Sequence, residues 1–140
     1  MTDLQHRIRL FVYRMSAAGP SYLLLRRSDG VNPTWGPIDG PIQFHEQIET
    51  AIRREVREDV GLPDPQGLVD LKMPKHWELG DEQVIEWPYG VQIMAPAESL
   101  ILDSRWSESR WTGFSETYTQ LCLELDRAAV TRLHTLITAA

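Results

Sequence analysis

Residues 40–62 hold the pattern that most restricts what this chain can fold into: Gly40, five residues, Glu46, seven residues, then Arg54-Glu55-Val56-Arg57-Glu58-Asp59-Val60-Gly61-Leu62. Between 46 and 60 there is no Gly or Pro, and Ile48, Ala51, Ile52, Val56 and Val60 recur at helical spacing with charged residues between them. Gly61 and Pro63 supply the stop, a Gly at the helix end with a Pro just beyond. On such a helix Glu55, Glu58 and Asp59, separated by three and four residues, project from one face toward a common point. Like charges stacked that closely repel unless a cation sits among them. Carboxylate oxygens suit Mg²⁺ or Mn²⁺ better than zinc, with remaining positions open to water and to phosphate oxygens.

Around this helix the chain reads as strands. Residues 6–15 alternate charged and apolar before Phe11, Val12 and Tyr13, and the run 22–25 pairs with them as a hairpin across a turn at 16–20. Asp29-Gly30 and Asn32-Pro33 force a loop. Residues 67–73 and 84–94 are expected strands, the second bulged or at an edge because it contains Pro88 and Gly90. A short strand is expected at 110–113 and a helix over 115–139, with Leu125, Ala129, Leu133 and Leu136 or Ile137 as its apolar stripe. Strands flanking one strong helix, with a second helix at the end, indicate a mixed layered domain, an α+β or α/β/α sandwich occupying residues 1–140 as one unit.

Composition narrows the partners. A net charge of −6 argues against a duplex nucleic-acid surface, which needs Lys and Arg to neutralise phosphates. A polyphosphate substrate would need a divalent cation to offset the repulsion, and the acidic cluster would hold it. The one cysteine, Cys122, excludes an intrachain disulfide and any Cys-based zinc site, consistent with a reducing compartment; cytoplasm is the simple expectation. No signal-like run opens the chain and nowhere do 18 apolar residues run together, so no membrane span is expected. His6, His76 and His134 have no metal-ligand spacing, and neither a Gly-x-Ser-x-Gly motif nor a P-loop occurs.

The 40–62 segment resembles the Nudix box: Gly, five residues, Glu, seven residues, Arg-Glu, an aliphatic, any residue, Glu-Glu, any residue, Gly, an aliphatic. Only Asp59 departs from it, by one methylene. Chance would produce such a match on the order of once in ten million random chains of this length. The resemblance implies a Nudix fold, a central mixed sheet between helices. It also implies a Mg²⁺-dependent (or Mn²⁺-dependent) hydrolase cleaving a diphosphate linkage in a nucleoside diphosphate joined to another group. By the same resemblance Glu55 and Glu58 are catalytic, with Arg54 orienting Glu55, and Glu55, Glu58, Asp59 and the Asp39 backbone carbonyl hold metal. Glu46 braces the loop before the helix.

Outside the box, Arg110-Trp111 resembles the strand that follows an additional acidic ligand in related enzymes. A frequent acidic position, six before that Trp, is Arg105 here; Glu108, three before it, is either a further metal ligand or a surface glutamate. His45 stands where relatives commonly have Gly, and Asp39 where many have Gly. Arg26 and Arg27 sit at a strand end suited to phosphate contacts through the planar guanidinium fork, with surface solubility as the competing explanation. Trp35, Trp77, Trp87 and Tyr89 either stack a nucleobase or pterin ring or pack the core; Trp35 and Trp87 are the substrate-binding candidates. In layout the chain is similar to the branch that hydrolyses dATP and dihydroneopterin triphosphate. The expected partner is a small nucleotide or related diphosphate, with a homodimer as the common assembly. The alternative is a Nudix fold serving as a ligand sensor or interaction module without catalysis.

Overall fold

A computed structural model describes residues 3–28, 34–62, 65–94 and 100–139. The loop expected at 29–33 and the helix-ending Pro63 lie outside the described residues. The organising element is β1 (Asp3–Ser16), whose alternation sends Ile8, Leu10 and Val12 to one face and Phe11 and Tyr13 to the other. Along one margin β1 pairs antiparallel with β2 (Gly19–Arg27) and then with β4 (Ile38–Pro41); along the other it runs parallel to β7 (Glu82–Gln92) from Asp3 to Tyr13. The far side of β7 carries β5 (Gly67–Asp70) and β6 (Lys75–Leu79), and β2 carries β3 (Trp35–Gly36) and β8 (Trp106–Thr112).

Helices cover both faces of this mixed sheet. On one side α1 (Ile48–Val60) buries Ala51, Ile52, Val56 and Val60 against Ile8, Leu10, Leu25, Ile38 and Val91. On the other, α3 (Glu124–Thr138) buries Ala129, Val130 and Leu133 against Phe11, Tyr13, Tyr22 and Leu24, with α2 (Phe114–Gln120) just before it. Each large aliphatic side chain withdrawn from water contributes roughly 1.5–3 kcal/mol, so the two clusters lock both helices to the sheet.

Four expectations are corrected. The strand β7 is not at an edge: it lies between β1 and the β5–β6 pair, and Pro88 is tolerated because it falls at the junction where the neighbour changes from β6, ending at Glu86, to β5, beginning at Tyr89. Its Gly90 faces α3, where a Cβ would collide with the Leu133 side chain. The C-terminal helix is two helices, interrupted at 121–123, and its buried stripe differs from the one expected: Leu125 and Leu136 are exposed whereas Asp126 is buried. Asp126 turns inward because Arg9 on β1 meets it with two hydrogen bonds, 2.8 and 2.7 Å. The strand expected at 110–113 is longer and begins at Trp106. The expected strand at 67–73 stops at Asp70, whose carboxylate accepts from the Lys72 N–H while Lys72 adopts a φ of 53°.

Candidate functional site

The site forms where α1 packs beside β4. Glu55 and Asp59 are one helical turn apart on the buried face, 4% and 5% exposed. A carboxylate can lie there because position 40 has no side chain: a Cβ on Gly40 would stand 2.5 Å from Glu55 Cδ. At the other end Gly61 takes the left-handed conformation, φ 69°, and its N–H bonds back to Arg57 O at 3.0 Å, ending the helix as expected. The chain returns past this terminus: Ile101 N–H donates to Val60 O at 2.9 Å and Asp103 N–H to Asp59 O at 2.8 Å. Those two bonds satisfy terminal helix carbonyls and deliver residue 105 to the carboxylates.

Two arginines flank Glu55. Arg54 uses all three guanidinium nitrogens: Nε and Nη2 donate to Glu46 at 2.8 and 2.9 Å, Nη2 also to Pro41 O at 2.9 Å, and Nη1 to Glu55 Oε1 at 3.0 Å. Glu46 accepts in addition from the Gln43 N–H at 2.9 Å. Arg54 thus fastens the loop before the helix to Glu55, and because Glu46 is engaged in that loop the helix begins only at Ile48. In the same loop His45 is held at φ 64°, which explains why glycine is the easier residue there.

Arg105 approaches from the opposite side. Its Nη2 donates to the Asp39 backbone carbonyl at 2.7 Å, lies 3.4 Å from Glu55 Oε2, and forms a close ion pair with Asp59 Oδ2. One nitrogen therefore stands where three oxygens converge. Oxygen-only donors of this kind, a carbonyl and two carboxylates, are the chemistry of a hard divalent cation, so the residues fit such an ion provided Arg105 gives way. Among the described residues no three Asp, Glu, His or Cys side chains are grouped closely enough to surround an ion by themselves.

Burial raises the Glu55 carboxyl from its ordinary 4.5 to about 7, helped by the neighbouring Asp59 charge and opposed by Arg54. Asp59 is raised as well, by burial first, although Arg105 pulls the other way. Glu46 is lowered, chiefly by its hydrogen bonds from Arg54. One carboxylate is thus favoured in its charged form as a brace, while burial shifts both inner carboxyls toward the protonated form.

The other residues singled out in the sequence are distributed as follows. Glu58 is on the exposed rim of α1, 3.5 Å from Arg54 Nη1, outside the buried pair. Glu108 pairs with Arg26 at 3.1 Å across β2 and β8. Arg27 Nη2 donates to both Asp39 carboxylate oxygens at 2.7 and 3.0 Å, and its guanidinium lies 5.1 Å from the Trp106 ring centre. Arg27, Trp35, Asp39 and Trp106 line a 170 Å³ cleft together with Arg9 and Asp126; of the three residues whose oxygens meet Arg105, it includes Asp39. Trp87 is elsewhere: it packs with the α1-side cluster, stacks on His6 and bonds to it at 3.1 Å, in a wider cleft of 670 Å³ with Ile42, Phe44 and Ile48. Trp35 packs with the α3-side cluster, so the two tryptophans do not share a ring-stacking site.

Sequence reasoning left three contributors unassigned. Trp106 is buried with the guanidiniums of Arg27 and Arg105 at 5.1 and 4.8 Å from its ring centre, and Arg105 stands out in the sequence only as a basic residue at a commonly acidic position. A basic residue followed by tryptophan just before a strand was the available signal. The third, Arg9, gathers three carboxylates: besides Asp126 it lies 3.5 Å from Glu86 and 3.6 Å from Asp39.

The family model of the NUDIX domain matches residues 5–116. The chain belongs to the NUDIX family, the Nudix hydrolases. Its fold is similar to that of the E. coli dihydroneopterin triphosphate pyrophosphohydrolase, with a TM-score of 0.77, 15% identity and coverage of 94% of this chain and 95% of that one. A C. elegans Ap4A hydrolase in a binary complex gives a TM-score of 0.74 at 16% identity over 97% and 99% of the two chains. The NUDIX domain of Shewanella oneidensis NrtR, complexed with ADP ribose, gives 0.75 at 15% identity over 99% and 90%. No curated protein matches the sequence. No helix among the described residues is long and apolar enough to cross a membrane.

Proposed function

We propose that this protein hydrolyses a phosphoanhydride linkage in a small nucleotide-type diphosphate, using Mg²⁺ or Mn²⁺ held by Glu55, Asp59 and the Asp39 carbonyl. The observation that carries this reading is the convergence of those three oxygens on one point, Asp39 also lining a cleft that contains Arg27. Glu58 joins the set when its side chain leaves Arg54, and Glu108 when it leaves Arg26. The bound ion would offset phosphate charge and lower the pKa of a coordinated water. Water then adds to a phosphorus, the bridging P–O bond breaks, and Glu55 accepts the proton. Arg54 fixes the Glu55 carboxylate, while Arg27, and Arg26 once parted from Glu108, would orient phosphate oxygens. Trp35 at the cleft would contact the attached group, and Trp87 would serve only a substrate long enough to reach the second cleft.

Dihydroneopterin triphosphate, Ap4A and ADP ribose, named with the similar structures, all contain phosphoanhydride bonds. They define the substrate panel, assayed with Mg²⁺ and Mn²⁺ for released phosphate, pyrophosphate and nucleotide. At least one member should turn over, and Glu58→Gln should remove most of that metal-dependent turnover with the fold intact. Near-normal rates in Glu58→Gln would sink the assigned role. The placement of Arg105 among the carboxylates favours one second reading, a binding module without hydrolysis. Tight binding of a panel member with no turnover under either ion would select it. Cytoplasmic location and a homodimer complete the proposal, resting on the lone exposed Cys122 and on the frequency of symmetric assemblies.

A further inference from the structure

We infer that Arg105 is the resident cation of this site and competes with a divalent ion for the point where Glu55, Asp59 and the Asp39 carbonyl converge. The inference rests on the proposed metal binding. Its first support is occupancy, since Arg105 Nη2 reaches all three oxygens. Its second is the contrast with Arg54. There every guanidinium nitrogen has a good acceptor, the mark of a fixed structural group. Arg105 is engaged through Nη2 alone: Nη1 is 3.9 Å from Asp39 Oδ1, and the buried Nε finds no partner among the described residues. A buried donor without an acceptor makes this seat suboptimal for the guanidinium, and the carboxylates are what hold it there.

The surroundings allow an exit by the side chain alone. The backbone at this point is clamped, with Ser28 N–H donating to Arg105 O and Ser28 Oγ to Ser104 O, both at 2.8 Å. The side chain is 31% exposed and lies along the Trp106 ring, 4.8 Å from its centre, so it has a path to solvent. With Arg105 seated, the buried carboxylates have a counter-charge and need no ion. An ion entering from solution gains the same oxygens but must first displace a tethered cation, so its apparent affinity is reduced by that competition. Arg105 is therefore a positioning residue that sets metal affinity.

The test is Mn²⁺ binding to the full chain by calorimetry and electron paramagnetic resonance, with thermal unfolding in EDTA and in Mn²⁺. Arg105→Ala should bind Mn²⁺ about tenfold or more tightly than the unaltered chain, and its melting temperature should fall in EDTA and recover with Mn²⁺. Arg105→Lys, which keeps the charge, should bind no more than about threefold more tightly. Equal or weaker Mn²⁺ binding by Arg105→Ala overturns the competition and leaves metal binding standing. Failure of both proteins to bind Mn²⁺ overturns both. Should the alanine variant not fold, the unaltered chain decides: the Arg105 side-chain ¹⁵N resonance, assigned by its loss in Arg105→Lys, should move as Mg²⁺ is added. A resonance that stays still while Mg²⁺ binds refutes the competition.

Discussion

Gly40 on β4 and Glu55 on α1 face each other so closely that the space for a side chain at position 40 is already filled by the Glu55 carboxylate. Gly40→Ala should force that carboxylate away from Arg54 and the Asp39 carbonyl. The expected cost is about 1–3 kcal/mol of stability and a loss of turnover on the order of 100-fold, because misplacing a reacting group by an ångström carries that penalty. Urea unfolding and steady-state kinetics measure the two effects, and an alanine variant with normal turnover would contradict the placement of Glu55.

The inner carboxylates give the metal-free protein a definite pH response. Glu55 is raised on folding from 4.5 to about 7, and a carboxyl so shifted holds its proton more tightly in the folded chain. Its contribution to stability is present below the ordinary value and is lost as pH climbs from 4.5 through about 7. Asp59 is shifted in the same direction. Unfolding in EDTA should therefore show stability falling across that window, by an amount on the order of 1–3 kcal/mol. Glu55→Gln should flatten the fall; an unchanged slope would mean that other groups cause it.

His45 is a place where stability is held below what the fold permits. At φ 64° it occupies the left-handed region, which costs a residue with a Cβ roughly 1–2 kcal/mol, partly offset by the greater freedom glycine gains in the unfolded chain. His45→Gly should raise stability by about 0.5–1 kcal/mol. A rise in the urea midpoint with unchanged slope is the signature, and a drop would show that the His45 ring against Phe44 contributes more than the backbone loses.

Asp126 is expected to matter far beyond its position near the end of the chain. Asp126→Ala would leave Arg9 buried with Glu86 and Asp39 at 3.5 and 3.6 Å and without its two short hydrogen bonds. Breaking one partner of a buried pair costs about 3–5 kcal/mol, an amount a domain of this size feels as a large drop in melting temperature. Scanning calorimetry checks it, and a change under about 1 kcal/mol would show that Arg9 finds solvent instead.

The box was legible because its information is local. Helical period, Gly61 at the stop and the spacing of Glu55 and Asp59 are all written within one short segment, and α1 follows them closely. The rest depends on partners distant in the chain. Nothing local marks Asp126 as buried, because the partner that draws it inward, Arg9, lies 117 positions away. Arg105 reaches Glu55 only because Ile101 and Asp103 bond to the end of α1. Pro88 looks like an edge signal until the neighbour of β7 is seen to change beside it. Trp35 and Trp87 look alike in sequence, and strand parity places them on opposite faces.

The parallel pairing of β1 with β7 joins Asp3 to Glu82 and Tyr13 to Gln92. Closing a loop of about 80 residues must precede any gain from that pairing, which makes it a slow step in folding. A chain being synthesised carries both inner carboxylates before Arg105 and Trp106 exist to cover them. The order of synthesis thus leaves Asp59 without its Arg105 partner during those first moments, while Glu55 already has Arg54 next to it in the chain.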